Sequence, residues 1–209
     1  MINFPIFNKL DIDGYGLYPG TKTSPGLHFD FQPGLTLIVG ANGLGKTTLI
    51  TIMYRLLTGP ADIPGLIGRS ELGNIDLAVK RIPASDRRMF ADRVVGGAKT
   101  STARLSLALG KHSVAIERNL GSLELLAFEV DDKEQPTDEN SFQERIAGLV
   151  GVWSFSDWIL LLRHLVFYFE DRRSLVWDPS AQRQLKRKSG RETTISGIPI
   201  VCVSLFSGC

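Results

Sequence analysis

The sequence predicts an α/β fold with a mixed central sheet and an antiparallel β meander. Three observations support this prediction. A short apolar run at residues 35–39 precedes a glycine-rich turn and an amphipathic segment of helical period. Three apolar runs broken by turn residues fill positions 102–130. The chain has 209 residues, of which 43% are hydrophobic and 22% charged, as in an ordinary globular domain.

The chain begins with two predicted strand regions, "FNKLDIDGYGLY" and "GLHFDFQPGLTLIV", separated by the turn-forming "PGTKTSPG". Polar and apolar side chains alternate over residues 27–32, which is the period of a half-exposed strand. The run "LTLIV" is continuous and apolar, as in a strand buried on both faces. We therefore expect residues 35–39 to form a buried parallel strand directly before the glycine-rich turn.

The glycine-rich turn satisfies the pattern Gly-x-x-x-x-Gly-Lys-Ser/Thr of a P-loop. Its residues are Gly40, Ala41, Asn42, Gly43, Leu44, Gly45, Lys46 and Thr47, with Thr48 following. Glycines let successive backbone N–H groups converge on an oxyanion, and a helix N-terminus adds free donors and a positive dipole. The pattern predicts a P-loop NTPase lobe that binds ATP and Mg²⁺; another α/β protein with a glycine-rich turn is the alternative.

Each polar side chain of the loop has an expected role. Lys46 reaches the β- and γ-phosphates, and the Thr47 hydroxyl ligates Mg²⁺. Thr48 offers its hydroxyl or amide to the α-phosphate. A helix is predicted from about Gly45 to Gly59, because apolar residues recur at helical spacing and Gly-Pro follows.

Residues 60–100 are interpreted as an irregular insertion. Arg87, Arg88 and Arg93 in this stretch either contact a phosphate backbone or form a solvated basic face. The meander that follows is predicted to turn at Gly110 and Gly121. After it, "DDKEQPTDENS" is expected to be an exposed loop.

The remaining predicted elements are helical and then extended. Apolar residues at helical spacing from Phe142 to Val150 predict a helix ending at Gly151. A short helix from Ser156 is expected to pass into a strand at residues 165–169. Three nearby aromatic residues are interpreted as core side chains rather than a base-stacking platform. They are Trp153, Phe155 and Trp158.

Composition excludes several other classes of protein. The net charge of +2 implies no obligatory polyanion partner, although residues 172–191 hold seven Lys and Arg against one acid and predict an exposed or DNA-facing helix start. We find no secretory signal and no apolar stretch long enough for a membrane span, which predicts a reducing cytoplasmic location. Cys202 and Cys209 form no disulfide framework, and the three histidines are not at metal-ligand spacing.

Four features together resemble the N-terminal half of the ATPase head in the SMC/RecF/RecN group, and most closely the SbcC-type double-strand-break repair ATPases. They are "GLHFDFQPGLTLIVGANGLGKTTL", "LLTG", "VAIERNL" with Arg118, and "LVFYFEDRRSLVWDP". The resemblance implies a catalytic, Mg²⁺-binding position at Glu170, where relatives carry a glutamine that senses Mg²⁺ and the attacking water. A carboxylate is also an oxygen ligand suited to Mg²⁺.

The same resemblance implies partners. Residues 1–180 correspond to the N-terminal lobe of the head, and 181–209 to a basic start of a coiled coil followed by an apolar tail. The expected partners are the C-terminal lobe, which is missing from an incomplete head, a second ATPase head in a dimer, a nuclease subunit and DNA. Asp131 and Asp132 are the only candidates for the family's Asp-Glu strand, and their alternating context favours a plain hairpin.

Three functions therefore stay open at the level of sequence. The first is an ATPase of double-strand-break repair or chromosome organisation. The second is the nucleotide-binding lobe of a defence-system ATPase, and the third is a degenerate module that binds nucleotide without catalysis. A transporter ATPase is disfavoured, because its signature loop and Asp-Glu strand are not found. We expect this chain alone to bind ATP and to hydrolyse it poorly.

Overall fold

The computed structural model describes residues 2–41, 43–63, 79–83 and 85–167. Within these ranges the chain forms eight strands, three α-helices, two 3₁₀ turns and one π-helical turn. The strands are β1 Pro5–Asp13, β2 Leu27–Asp30, β3 Ala61–Asp62, β4 Lys80–Arg81, β5 Thr102–Leu109, β6 His112–Asn119, β7 Leu125–Val130 and β8 Lys133–Glu134. The helices are α1 Lys46–Thr58, α2 Glu139–Val150 and α3 Phe155–Leu161; the 3₁₀ turns are Asp86–Met89 and Ala91–Arg93, and the π-helical turn is Leu162–Val166.

Six of the described strands form the central sheet, in the order β2-β1-β5-β6-β7-β8. Every neighbouring pair in it is antiparallel. The predicted meander is confirmed: β5 and β6 meet at a turn with Gly110 at φ 61°, and β6 and β7 are joined through Gly121. The α/β fold class is therefore confirmed, and the described strands of the central sheet are antiparallel throughout.

The hydrophobic core lies between one face of this sheet and the helices. Along β5 the side chains alternate strictly between buried and half-buried, as expected of a strand with one wet face. Phe128 of β7 packs edge-to-face on Phe142 of α2, with ring centroids 5.0 Å apart. On the opposite face Arg104 links Glu117 and Glu129, at 3.4 and 2.7 Å. The sheet and α1 thus share one hydrophobic core, which positions the loop that precedes α1.

The predicted strand at residues 35–39 is wrong. The segment has no strand conformation, and three of its side chains are mostly exposed: Leu35 at 83%, Leu37 at 68% and Val39 at 78%. A parallel strand needs backbone partners in a neighbouring strand, and no described strand pairs with this segment. Apolar composition alone does not supply those partners.

Both long helices end where the sequence indicates, and α1 also begins where it is expected. α1 runs from Lys46 to Thr58 and ends at Gly59, whose φ of 59° is available to glycine at little cost. α2 ends at Gly151 in a left-handed conformation, and Asp138 caps its start. The predicted loop before α2 is shorter than expected, because Lys133 and Glu134 extend the meander as β8 and the helix already begins at Glu139.

The segment after α2 differs from prediction in two places. Trp158 and Phe155 lie in the core as expected, but Trp153 is fully exposed in the turn between α2 and α3. The strand expected from Leu165 is wrong for residues 165–166, which continue the helix as a π-helical turn with Val166 packed into the core. Residues 168–169 lie outside the described residues, as do Glu170, the basic stretch 172–191 and the domain boundary at 180/181.

No single helix in the described ranges is both long and apolar enough to cross a membrane. The bent pair Glu139–Val150 and Phe155–Val166 passes a joint test of length and composition, at an angle of 61°. Both members place apolar side chains in the hydrophobic core, as core helices do.

Candidate functional site

The predicted P-loop leads directly into α1. Gly43 and Gly45 adopt left-handed conformations, with φ of 87° and 83°, and Lys46 is the first residue of the helix. No side chain caps this helix and its first turn contains no acid. The first amides of α1 therefore have no side-chain acceptor, and the positive end of the helix dipole has no nearby carboxylate on the helix itself.

A cavity of about 320 Å³ opens at this helix start. It is lined by Leu17, Gly43, Gly45, Lys46, Thr47, Thr48 and Arg93. Two of these residues are cationic and none is acidic, so the lining favours an anion. A second cleft of about 350 Å³ lies beside α2 and is lined by no residue of the motif.

Lys46 is bound to its own loop. Its Nζ donates hydrogen bonds to the carbonyl oxygens of Gly40 and Ala41, at 2.7 and 2.8 Å. Asn42, the next residue of the loop, lies outside the described residues. The ammonium group thus holds the loop curled, and a phosphate entering the cavity would compete with these two carbonyls for it.

The two threonines of the loop differ in surroundings. Thr47 is exposed, and its hydroxyl makes no hydrogen bond to any residue that the structure describes. Thr48 is only 2% exposed, and its Oγ1 accepts a hydrogen bond of 2.9 Å from Nη1 of Arg93. Thr47 is free to ligate a cation, whereas the Thr48 hydroxyl is already engaged by the insertion.

Two residues of the β1–β2 connection pack against the loop, and no sequence motif indicates them. Tyr18 donates its hydroxyl to the carbonyl oxygen of Gly45, at 2.7 Å. A Cβ at Gly45 would lie 2.7 Å from Leu17 Cδ2 and 3.0 Å from Tyr18 Oη. Burial raises the pKa of Tyr18, so it is a neutral donor. A sequence separation of 27 residues hides this contact from local patterns.

A match to a known family identifies the kind of domain that contains this loop. A family model described as an AAA domain matches residues 9–195, most of the chain. The chain belongs to this AAA domain family. It is an AAA-type P-loop ATPase domain of a kind found in SMC-like proteins, and nucleotide binding follows from that membership. No curated protein matches the chain.

Other candidate residues of this AAA domain lie away from the cavity or outside the described ranges. Glu170 is in the latter group. Asp131 and Asp132 sit in the β7–β8 turn with positive φ, and Asp131 is bound to His112 Nδ1 at 2.7 Å and to the amide of Ser113 at 3.0 Å. The hairpin prediction for the two aspartates is confirmed. Among the described residues, no group of three or more His, Cys, Asp or Glu side chains could hold a metal ion.

Proposed function

We propose that the chain is the ATP-binding lobe of a DNA-associated ATPase of the double-strand-break repair or chromosome-organising type, and that it binds Mg-ATP through residues 40–48. The cavity at the start of α1 carries this proposal. It combines left-handed glycines, uncapped helix amides, the Lys46 ammonium group and a free Thr47 hydroxyl. These are the donors and the oxygen ligand that a magnesium-bound triphosphate requires.

In this proposal, each polar residue of the P-loop contacts a different part of Mg-ATP. Lys46 exchanges its two loop carbonyls for the β- and γ-phosphates, Thr47 ligates Mg²⁺, and Thr48 lies at the α-phosphate. Glu170 is proposed as a second oxygen ligand of Mg²⁺. Bound Mg²⁺ would neutralise charge that develops on the transferred phosphoryl group.

Slow hydrolysis by this chain alone is part of the proposal. Phosphoryl transfer is catalysed by positioning and by charge stabilisation, and it needs a group that orients the attacking water. The described lining of the cavity holds no carboxylate to do so. We assign the missing groups to a second ATPase head and to a second lobe. The same lining also favours a second candidate function, a module that binds nucleotide without hydrolysing it.

The exposed segment 35–39 supports the proposed second lobe. Leu35, Leu37 and Val39 present a row of apolar side chains next to the P-loop. Contiguous exposed apolar surface marks interaction sites, and a segment without strand partners of its own can add to the sheet of a partner. A lobe that supplies neighbouring strands would bury these side chains and fix the entrance of the P-loop.

The proposed association with DNA draws on composition. Residues 172–191 carry seven Lys and Arg and one acid, a composition typical of segments that contact a phosphate backbone. A nuclease subunit is the proposed partner for processing the DNA.

Nucleotide titration tests the binding part of the proposal. We expect a fluorescent ATP analogue to bind the parent chain in the presence of Mg²⁺, and Lys46→Ala to lose most of that affinity. Lys111→Ala is the matched control, because Lys111 is an exposed lysine in the β5–β6 turn far from the motif in sequence. Equal affinity of the Lys46→Ala variant and the parent would refute the proposal.

Phosphate release separates the two candidate functions. An ATPase lobe that works on DNA should release phosphate slowly alone and faster when linear duplex DNA is added together with the partner lobe. A non-catalytic module should stay at the background rate in every mixture, while still binding the nucleotide.

A further inference from the structure

A second cation lines the nucleotide cavity, and it comes from the insertion rather than from the motif. Arg93 is the last residue of the 3₁₀ turn Ala91–Arg93. Its Nη1 donates to Thr48 Oγ1 at 2.9 Å, and its Nε donates to the carbonyl oxygen of Met89 at 3.1 Å. A residue 45 positions from the P-loop threonine is thus tied directly to the P-loop helix.

The turn that carries Arg93 is anchored in the core. Phe90 is fully buried, and its carbonyl oxygen accepts a hydrogen bond of 3.0 Å from the Tyr15 hydroxyl. The rings of Tyr15 and Phe90 meet edge-to-face with centroids 6.5 Å apart. Packing around the 3₁₀ turns therefore sets the backbone position of Arg93, and the two hydrogen bonds to Thr48 and Met89 orient its exposed side chain.

The charge of Arg93 has no counter-ion among the described residues. Arg88, on the same basic stretch, forms an ion pair of 3.1 Å with Asp92, but Arg93 makes no such pair with any carboxylate that the structure describes. Burial raises the pKa of both Tyr15 and Tyr18, so these neighbouring hydroxyls are neutral and do not balance the charge. Two of the five N–H donors of the guanidinium group are used, which leaves three for a ligand.

We propose that Arg93 is a further ligand of the nucleotide phosphate chain, holding a phosphate oxygen while it remains bonded to the Thr48 hydroxyl. This inference rests on the proposed function. A planar guanidinium fork is suited to paired hydrogen bonds with phosphate oxygens, and no described carboxylate competes with a phosphate for this cation. The insertion then contributes to nucleotide affinity, and its other arginines do not.

Affinity measurements on matched arginine variants test the proposal. We expect Arg93→Ala and Arg93→Gln each to weaken Mg-ATP binding by about tenfold, the loss typical of a charge-assisted hydrogen bond. Arg93→Gln is included because it can keep a hydrogen bond to Thr48 without the charge, and Arg93→Lys should retain part of the affinity. Arg88→Ala is the matched control, with affinity unchanged within about twofold.

The outcomes distinguish this inference from the proposed function. If Lys46→Ala loses affinity and both Arg93→Ala and Arg93→Gln bind ATP as the parent does, the role of Arg93 is overturned and the P-loop remains the site. If Lys46→Ala also binds normally, the proposed function itself fails. Equal losses in the Arg93→Gln and Arg88→Ala variants would show a diffuse electrostatic effect and would overturn the inference. A thermal melt of each variant shows that affinity changes are not unfolding.

Discussion

Arg118 connects three elements through one buried guanidinium group. Its Nε and Nη1 donate to the carbonyl oxygens of Leu56 and Leu123, at 3.1 and 3.0 Å, and both Nη atoms contact the Glu139 carboxylate. Removing the side chain leaves two buried carbonyl oxygens and the half-buried Glu139 carboxylate without this donor. We expect Arg118→Ala to lower the free energy of unfolding by about 3–5 kcal/mol, measured by urea denaturation.

Arg104 provides the control for that prediction. It also contacts two glutamates, but its side chain is 33% exposed on the open face of the sheet. Water screens such pairs, so Arg104→Ala should cost less than about 1 kcal/mol. Equal losses in the two variants would contradict the assignment of Arg118 as a buried link between β6, α1 and α2.

The two left-handed glycines of the P-loop make a second matched pair. Gly43 and Gly45 have similar φ, but a Cβ at Gly43 meets nothing within 4 Å, whereas one at Gly45 lies 2.7 Å from Leu17 Cδ2. Gly43→Ala should therefore cost only the strain of a left-handed alanine, about 1–2 kcal/mol. Gly45→Ala should cost more, because Leu17 and Tyr18 must also move. Urea denaturation compares them, and a smaller loss for Gly45→Ala would refute the close packing of Leu17 and Tyr18 against Gly45.

At the residue scale, the sequence predicts what a local motif encodes and carries no signal for contacts that folding brings together. Residues 40–48 follow from spacing alone, because the P-loop chemistry is contiguous in the chain. Leu17 and Tyr18 reach the loop only through the β1–β2 hairpin, and Arg93 only through a turn of the insertion. From sequence, Arg93 is expected either to contact a nucleic-acid backbone or to lie on a solvated basic face. Neither expectation places it at the P-loop cavity.

A helix or strand could be predicted where its own segment carries the pattern and where its hydrogen-bond partners lie nearby in the sequence. α1 and α2 carry apolar spacing and glycine ends within one segment, and the meander strands pair with their neighbours in sequence. Residues 35–39 show the opposite case, since strand formation there depends on partners that composition does not reveal. Residues 165–166 look β-prone, yet they extend α3, whose packing against the core prevails over local propensity.

The β1–β2 hairpin contains a pH-dependent link. His28 Nδ1 lies 2.8 Å from Asp11 Oδ1, and its Nε2 lies 2.9 Å from the Pro25 carbonyl oxygen. Both partners only accept, so both ring nitrogens can donate only when the imidazole is protonated. The bonds to Asp11 and then to Pro25 raise the pKa of His28 above its ordinary value of 6.5.

The raised pKa of His28 determines how this link contributes to stability as pH changes. Since the folded state holds the proton more tightly, this link contributes fully below the unfolded pKa of about 6.5 and is lost as pH rises through the higher folded pKa. NMR titration of His28 should show a raised pKa that Asp11→Asn returns towards the ordinary value. Asp30→Asn, on the same edge strand, should leave the titration unchanged. A His28 pKa at or below 6.5 in the parent chain would contradict the link.

At the scale of the whole molecule, the two sides of the P-loop are unequally supported. On one side α1 is packed into the core, with Ile52, Met53 and Leu56 almost fully buried. On the other side, residues 35–39 hold the loop without any strand pairing that the structure describes. The proposed nucleotide site is therefore packed at its helix and has no described strand pairing at its entrance, and a partner that orders this entrance would couple its own binding to that of ATP.

This asymmetry predicts how substitutions on the two sides should differ. Leu37 is 68% exposed, so Leu37→Lys should change the free energy of unfolding by less than about 0.5 kcal/mol. It should also reduce self-association of the chain, measured by light scattering, because it interrupts an exposed apolar row. Leu107→Lys is the control: the side chain is fully buried in β5, and an unpaired charge there should unfold the domain.

Hydrogen exchange measures the same asymmetry directly. Backbone amides of residues 36–39 should exchange quickly, while those of β5 and β6 exchange only on global unfolding. Addition of Mg-ATP should slow exchange at residues 43–48 more than at 36–39, because the nucleotide contacts the loop and not the segment before it. If residues 36–39 were as protected as β5 in the chain by itself, the segment would already be a paired strand, and no second lobe would be needed to order it.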